Sequence, residues 1–240
     1  MEWTDQGILL STRRHGEGAA IIDVLTQNHG RHAGLVRGGG ARKMAATLQP
    51  GNQISLSWRA RVEDQLGTFS VELFEARSGI FIASREKLYV FNALSSLLAR
   101  YLPEREPNIA LYTACIELLE LMRSGAFWQH KYCLLEFEML DVLGYGADRF
   151  TCAVTGSTQE LHYISPMSGR AVSKKGATGY EDRLLPYPKI FTRKELSAIP
   201  AEEFHQSLRV SGYFFENKIP TAKGLLPHAR QRLLDLRPLA

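Results

Sequence analysis

The stretch Pro50-Gly51-Asn52-Gln53-Ile54-Ser55-Leu56-Ser57-Trp58-Arg59 decides how the first third of the chain is read. Turn residues open it. Ile54, Leu56 and Trp58 then alternate with Ser55, Ser57 and Arg59, the period of two that marks a strand with one buried face. Trp58 shares the apolar side and is read as core. Arg61 continues the side of Arg59. Working outward, Ile8-Leu9-Leu10, Ile21-Ile22-Asp23-Val24-Leu25 and Ala33-Gly34-Leu35-Val36 are short apolar runs separated by His15-Gly16-Glu17-Gly18 and Asn28-His29-Gly30. After Asp64-Gln65-Leu66-Gly67, a fifth run places Phe69, Val71 and Leu73 on one face. Five short strands with a long connection after the third predict a small Greek-key barrel. An OB-fold, whose usual ligands are oligonucleotides, is the leading form; strand counting does not separate it from an SH3-like barrel.

Charge is placed rather than spread. Net charge is only +4, yet no acidic residue falls between Val24 and Val62. That stretch carries Arg31, Arg37, Arg42, Lys43, Arg59 and Arg61, with Gly38-Gly39-Gly40 between the cations as a mobile loop tip. A one-signed surface attracts polyanions, and phosphate backbones are the commonest. The expected DNA surface centres on Arg37, Arg42 and Lys43, supported by Arg14, Arg31, Arg59 and Arg61. The basic segment from Arg209 to Arg237 is the next candidate.

From about Arg85 the period turns helical. Leu88, Phe91, Leu94, Ser95 and Leu98 share a face. A second helix lies between Pro107 and Gly125 with Ile109, Tyr112, Ile116 and Leu119 inward, and a third runs from Trp128 to Leu143 and stops at Gly144-Tyr145-Gly146. Periodicity is lost over Arg149–Gly179, then returns weakly at Arg193–Ile199, Glu203–Phe214 and Leu225–Leu236. The reading is an α+β multidomain chain: 1–80 an OB-fold DNA-binding domain, 81–147 an α-helical domain, 148–180 a small module, and 181–240 the remainder of the helical domain. The polar start and the odd count of three cysteines point to a reducing, cytoplasmic setting, and no apolar run is long enough for a membrane span.

No catalytic constellation emerges: G-x-S-x-G and the phosphate loop ending in G-K-[ST] are both missing. His29-x-x-His32 is read as two histidines flanking a turn, because strand residues three apart point to opposite faces. Glu136, Glu138 and Asp141 are read as a solvated helix face, and Cys115 and Cys133 as buried thiols. Cys152-Ala153-Val154-Thr155 and Ser165-Pro166-Met167-Ser168 have the spacing of two zinc knuckles with hydroxyls in three of four places. Even with His162 nearby, that donor set falls short of the thiolates and imidazoles zinc requires, so no metal or other cofactor is expected. Phe69, Trp58 and Phe74 are candidate stacking surfaces. An RNA-binding or ribosome-associated OB-fold protein is the alternative function; a metal-dependent hydrolase has only scattered carboxylates behind it.

The ordered series Gly7-Ile8-Leu9-Leu10, Arg13-Arg14-His15-Gly16-Glu17, Leu25-Thr26-Gln27-Asn28-His29-Gly30, Val36-Arg37-Gly38 and Leu48-Gln49-Pro50-Gly51-Asn52, with Leu134–Tyr145 further on, resembles the RecO family of bacterial recombination mediators. The likeness is close over the first 60 residues, good through the helices and loose in the last quarter. It implies an OB-fold, a helical domain and a zinc-finger-like module, here degenerate at Thr155, Ser165 and Ser168. It also implies a non-enzymatic role: binding single- and double-stranded DNA, annealing complementary strands, contacting the acidic tail of single-stranded DNA-binding protein, and acting with RecR to help RecA load in gap repair. The tail needs an apolar pocket rimmed by cations. Arg100, Arg105, Arg123 and Lys131, taken as exposed on the helical domain, are the candidates.

Overall fold

The computed structural model describes residues 1–62, 65–220 and 224–235, in two compact units, Met1–Arg123 and Ser124–Ala240. The first unit begins with β1 (Glu2–His15), β2 (Ala19–Thr26), β3 (Arg31–Val36), β4 (Gln53–Arg59) and β5 (Thr68–Glu75). Their order is β1-β2-β3-β5-β4, and β4 returns to β1, so the sheet closes on itself. All pairings are antiparallel except the short β3–β5 pair, Leu35↔Thr68 and Val36↔Phe69. β1 serves two partners: its first half pairs β4 and its second half pairs β2, with a bulge between Leu9 and Ser11 that turns the strand.

The alternation read from the sequence fills the interior. Ala20, Ile22 and Val24 of β2, Ile54, Leu56 and Trp58 of β4, Leu9 and Phe69 form one buried cluster, and Leu48 joins it from the β3–β4 connection. Each such aliphatic side chain contributes about 1.5–3 kcal/mol. Phe69 enters because Gly34 makes room: a Cβ there would stand 2.4 Å from the ring. Val71 and Leu73 do not follow Phe69 inward. Val71 is half-buried, and Leu73 and Phe74 are 44% and 55% exposed. β3 covers only the start of β5, so the rest of that strand is paired on one side alone.

After a single helical turn, α1 (Gly79–Ile82), α2 (Arg85–Tyr101) is capped by Ser84, whose hydroxyl accepts the Lys87 N–H, and ends at Leu102, where Pro103 forces extended backbone. Val90, Phe91, Leu94, Leu97 and Leu98 are its buried face; Leu88, expected on that face, is exposed in the first turn. α3 (Ile109–Ser124) is capped by Asn108 on the Leu111 N–H. Ile109, expected inward, is exposed in its first turn.

In the second unit, α4 (Trp128–Val142) closes with the paired bonds of a Schellman motif, Tyr145 N–H to Leu140 and Gly144 N–H to Asp141. A three-stranded sheet of order β7-β6-β8 follows, from β6 (Leu161–Ile164), β7 (Ala171–Ser173) and β8 (Leu185–Pro186), then α5 (Ala201–Asn217) and α6 (His228–Asp235). Residues 193–199 form no helix. Ser197 gives its N–H to the His130 ring, and Pro200, just ahead of α5, disfavours helical backbone before it.

The solvated carboxylate face expected on α4 is corrected at its first member. Glu136 is completely buried, and its carboxylate takes two hydrogen bonds from the equally buried Arg230 of α6 and one from the Ser211 hydroxyl of α5. α4 is buried around most of its circumference, so it has no polar face to offer. Glu138 reaches Lys131, and Asp141 pairs with Arg149. Cys115 and Cys133 are buried, as read.

Candidate nucleic-acid interface

β1 and β2 meet in a hairpin whose tip carries Arg14 and His15, opposite Ala20 and Ala19. The Gly38–Gly40 turn lies against that tip. Gly39 N–H bonds to Val36, Gly40 N–H to Gly18, and Ala41 N–H to Gly38. A short 3-10 turn, Arg42–Met44, follows, and Met44 packs with Leu48 on the barrel core. The glycine run is therefore strapped down rather than a free tip, and a Cβ on Gly39 would crowd Ala20 and Leu48. What the straps hold outward is charge. Arg13, Arg14, Arg37, Arg42 and Lys43 are all exposed, and among the described residues none has a carboxylate within ion-pair distance. Arg13 stands outside the DNA surface expected from the sequence, although its place in the same hairpin is legible there.

The other cations differ. Arg61 is exposed just past β4. Arg59 is exposed but pairs with Glu2 at 2.7 Å. Arg31 is a clamp: its side chain is 12% exposed, bonded to Asp23 at 2.9 Å, near Glu104 at 3.3 Å, and donating to the Leu102 carbonyl. Burial raises the Asp23 carboxyl pKa, and Arg31 opposes that rise.

That clamp ties the segment after α2 to β3. Arg105 N–H bonds to the Arg31 carbonyl at 2.8 Å, and Gly30, at φ +68°, lets the Glu106 backbone approach where a Cβ would collide. Between them opens a pocket of about 430 Å³ lined by Trp3, His29, His32, Trp58, Arg105 and Pro107. Trp3 stacks on His29 at 4.0 Å and 6°, and on Trp58 at 5.6 Å and 20°. His32 meets Trp3 edge-on. The two histidines thus flank one indole instead of pointing apart, because His29 sits in the turn beyond the strand. Asp5 holds the His29 Nδ1 at 2.7 Å, while burial lowers the pKa of His32. A wider groove of about 600 Å³ crosses Thr4, Gln6, Ser55, Ser57 and Ser70; its charged lining, Asp5 and Glu72, is acidic and unsuited to a polyanion.

The four basic residues taken from the helical domain have different surroundings. Arg100 lies over the Tyr101 ring, Arg105 lines the pocket just described, and Arg123 is held by Glu120 and Glu75. Lys131 belongs to the second unit, and its expected exposure is corrected: it is 8% exposed and reaches Glu138 at 3.5 Å, because α4 is buried nearly all round.

In the module, Cys152 is buried and its sulfur accepts the N–H groups of Ser173 at 3.2 Å and Thr155 at 3.4 Å. Thr155 and Ser173 hydroxyls lie 3.3 Å apart, and Gly176 N–H bonds to Ser173 Oγ. The turn facing Cys152 and Thr155 is thus Ser173–Gly176. Ser165–Ser168 forms a separate tight turn of its own and does not face Cys152 and Thr155, as the knuckle spacing had it. Desolvation raises the thiol pKa, but the donors from Ser173 and Thr155 prevail and lower it to about 6. One thiol, two hydroxyls and a glycine do not fit zinc, and His162 is exposed beside Tyr163. Among the described residues no cluster of three or more His, Cys, Asp or Glu is placed to hold a metal, and no helix is long and apolar enough to cross a membrane.

The closed barrel thus presents Arg13, Arg14, Arg37, Arg42 and Lys43 exposed, with no carboxylate partner among the described residues. Residues 1–77 match the family model described as Recombination protein O N terminal, and residues 83–224 match Recombination protein O C terminal. Proteins named DNA repair protein RecO are 48% identical in Ruegeria sp. (strain TM1040) and 44% in Cereibacter sphaeroides (strain ATCC 17025 / ATH 2.4.3), over 98% of both chains in each case. One from Chelativorans sp. (strain BNC1) is 39% identical over 98% of this chain and 94% of its own. The chain belongs to the RecO family of DNA repair proteins.

Proposed function

We propose that this chain is a recombination mediator of DNA gap repair. In this reading residues 1–80 are an OB-fold, 81–147 and 181–240 a helical domain, and 148–180 a degenerate zinc-finger-like module held by hydrogen bonds. The protein binds single- and double-stranded DNA, anneals complementary strands and, with RecR, helps RecA load on strands coated by single-stranded DNA-binding protein, acting in the cytoplasm without bond-making chemistry. The observation that carries the reading is the set Arg14, Arg37, Arg42 and Lys43, held outward by a hydrogen-bonded turn with no carboxylate partner among the described residues. Phosphate neutralisation by such cations gives affinity without sequence preference and leaves base edges open for pairing. Arg61 and the ion-paired Arg59 extend the surface, and Arg31 supports it as a clamp within the fold, not as a phosphate contact.

Strand annealing is the test. Complementary oligonucleotides coated with single-stranded DNA-binding protein should anneal faster with this protein, and deletion of the acidic tail should remove part of that gain. No acceleration, coated or bare, overturns the reading. For the tail, fluorescence anisotropy with an acidic, Phe-ended peptide should weaken on alanine substitution of at least one of Arg100, Arg105, Arg123 and Lys131. Unchanged binding by all four and by their combination places the tail site elsewhere.

A further inference from the structure

We propose that the pocket beside Trp3 receives a single unstacked nucleobase from a DNA strand bound at the barrel; the inference rests on the DNA-binding reading and adds a base-holding site to it. Trp58, Trp3 and His29 already form a pile of rings, and the imidazole is its outer member. The His29 side chain is 33% exposed, and Asp5, itself nearly buried, fixes its Nδ1, so the ring plane is set before any ligand arrives. A planar heterocycle laid on that plane continues the pile. The pocket volume, about 430 Å³, lies within the roughly 300–1,000 Å³ usual for small-ligand sites.

A second observation marks the site independently. Arg105 has φ 65°, a left-handed conformation that non-glycine residues seldom adopt, and two backbone straps keep it there: its own N–H to Arg31 and the close approach of Glu106 to Gly30. Arg105 lines the pocket, and its guanidinium donates to the Gln65 carbonyl. Strain maintained by surrounding contacts is characteristic of ligand sites. Here it presents a cation to the phosphate that must accompany a nucleobase. An acidic, Phe-ended peptide is the competing occupant. The flat His29 imidazole favours a stacked heterocycle over that peptide, and a single arginine would face several carboxylates.

The experiment compares a short base-bearing strand with an abasic strand of equal length, titrated into the wild-type protein and the His29→Ala and His29→Phe variants. A stacked base is lost with His29→Ala, so affinity for the base-bearing strand should fall about tenfold while affinity for the abasic strand and the salt slope stay unchanged. His29→Phe, which keeps a flat ring, should recover most of the loss. In the wild type, tryptophan emission should be quenched by the base-bearing strand more than by the abasic one, a readout that needs no variant. Equal losses on both strands, or no loss together with equal quenching, overturn the proposal. So does competition by the acidic peptide that is lost with His29→Ala while strand binding is kept. A wild-type protein that binds neither strand overturns the DNA-binding reading itself, and this inference with it.

Discussion

The hairpin end of the barrel and the centre of the α4–α5–α6 cluster both depend on arginine, and they treat it in opposite ways. At the barrel end Arg14, Arg37 and Arg42 are exposed, unpaired among the described residues, and attached to backbone that is itself well bonded. In the second unit Arg230 is completely buried, with its Nε and Nη2 on Glu136 and Nη2 also on the Leu208 carbonyl. The first arrangement keeps charge available to a ligand and keeps it out of the folding balance. The second takes charge from solvent and makes the fold depend on it. Position relative to water, rather than residue type, decides which role an arginine has.

The largest effect that tests this contrast is at Glu136. Glu136→Ala leaves Arg230 buried without its counter-charge and should destabilise the protein by about 3–5 kcal/mol, read by chemical denaturation. Replacing both partners with apolar residues of similar volume should recover most of that loss; if the double variant is as unstable as the single one, packing rather than charge holds α6. Next is Arg37→Glu/Arg42→Glu/Lys43→Glu. If about five phosphates are neutralised, log affinity for single strands falls with log salt at a slope near −3.5, and losing three contacts should flatten it by about 2. Stability should move by less than about 0.5 kcal/mol. An unchanged slope in a folded variant would move the surface to the basic C-terminal segment.

Arg31→Ala sharpens the comparison because this residue lies between the two extremes. It should cost about 1–3 kcal/mol through the buried Asp23 carboxylate it leaves behind, with little change in salt slope. The opposite outcome would return Arg31 to the phosphate surface. The smallest signal is at Cys152. With a folded-state pKa of about 6 against an ordinary value of 9.0, its thiolate should appear in ultraviolet absorbance near pH 6. The folded state then gains stability as pH rises from about 6 to about 9 and loses it as pH falls through about 6, a slope that Cys152→Ser should remove. A thiol that stays protonated to pH 8 would mean that desolvation outweighs the N–H donors.

The barrel was legible because its strands obey a local rule: Ile54-x-Leu56-x-Trp58 announces its face without reference to any other segment. Helix ends were legible for the same reason, through Pro107, Gly125 and Gly144. The charge pattern between Val24 and Val62 was equally plain on the page. What stayed hidden depends on partners distant in sequence. Glu136 resembled a solvated acid until Arg230 faced it, and Lys131 an exposed cation until α4 was seen to be enclosed. The partner turn of Cys152 was misplaced because Ser173 and Gly176 carry no thiol to mark them, and strands of two to four residues are too short to show a period. The pocket beside Trp3 went unread because Trp3, His29 and Trp58 converge only when β1 crosses to β4.

The doubled role of β1 also sets the timing of assembly. It is the first of the five strands to leave the ribosome, yet its opening residues pair with β4, Trp3 opposite Trp58, so half of it waits for a partner made much later. At about 5–20 residues per second this interval lasts roughly several seconds. During it β1 and β2 pair as a hairpin while the Glu2–Ile8 edge stays open, and an open edge is the part of a β protein most prone to join a neighbouring chain. Closure by β4 and β5 removes that edge, so the nascent barrel is most vulnerable just before Pro50 to Arg59 emerge.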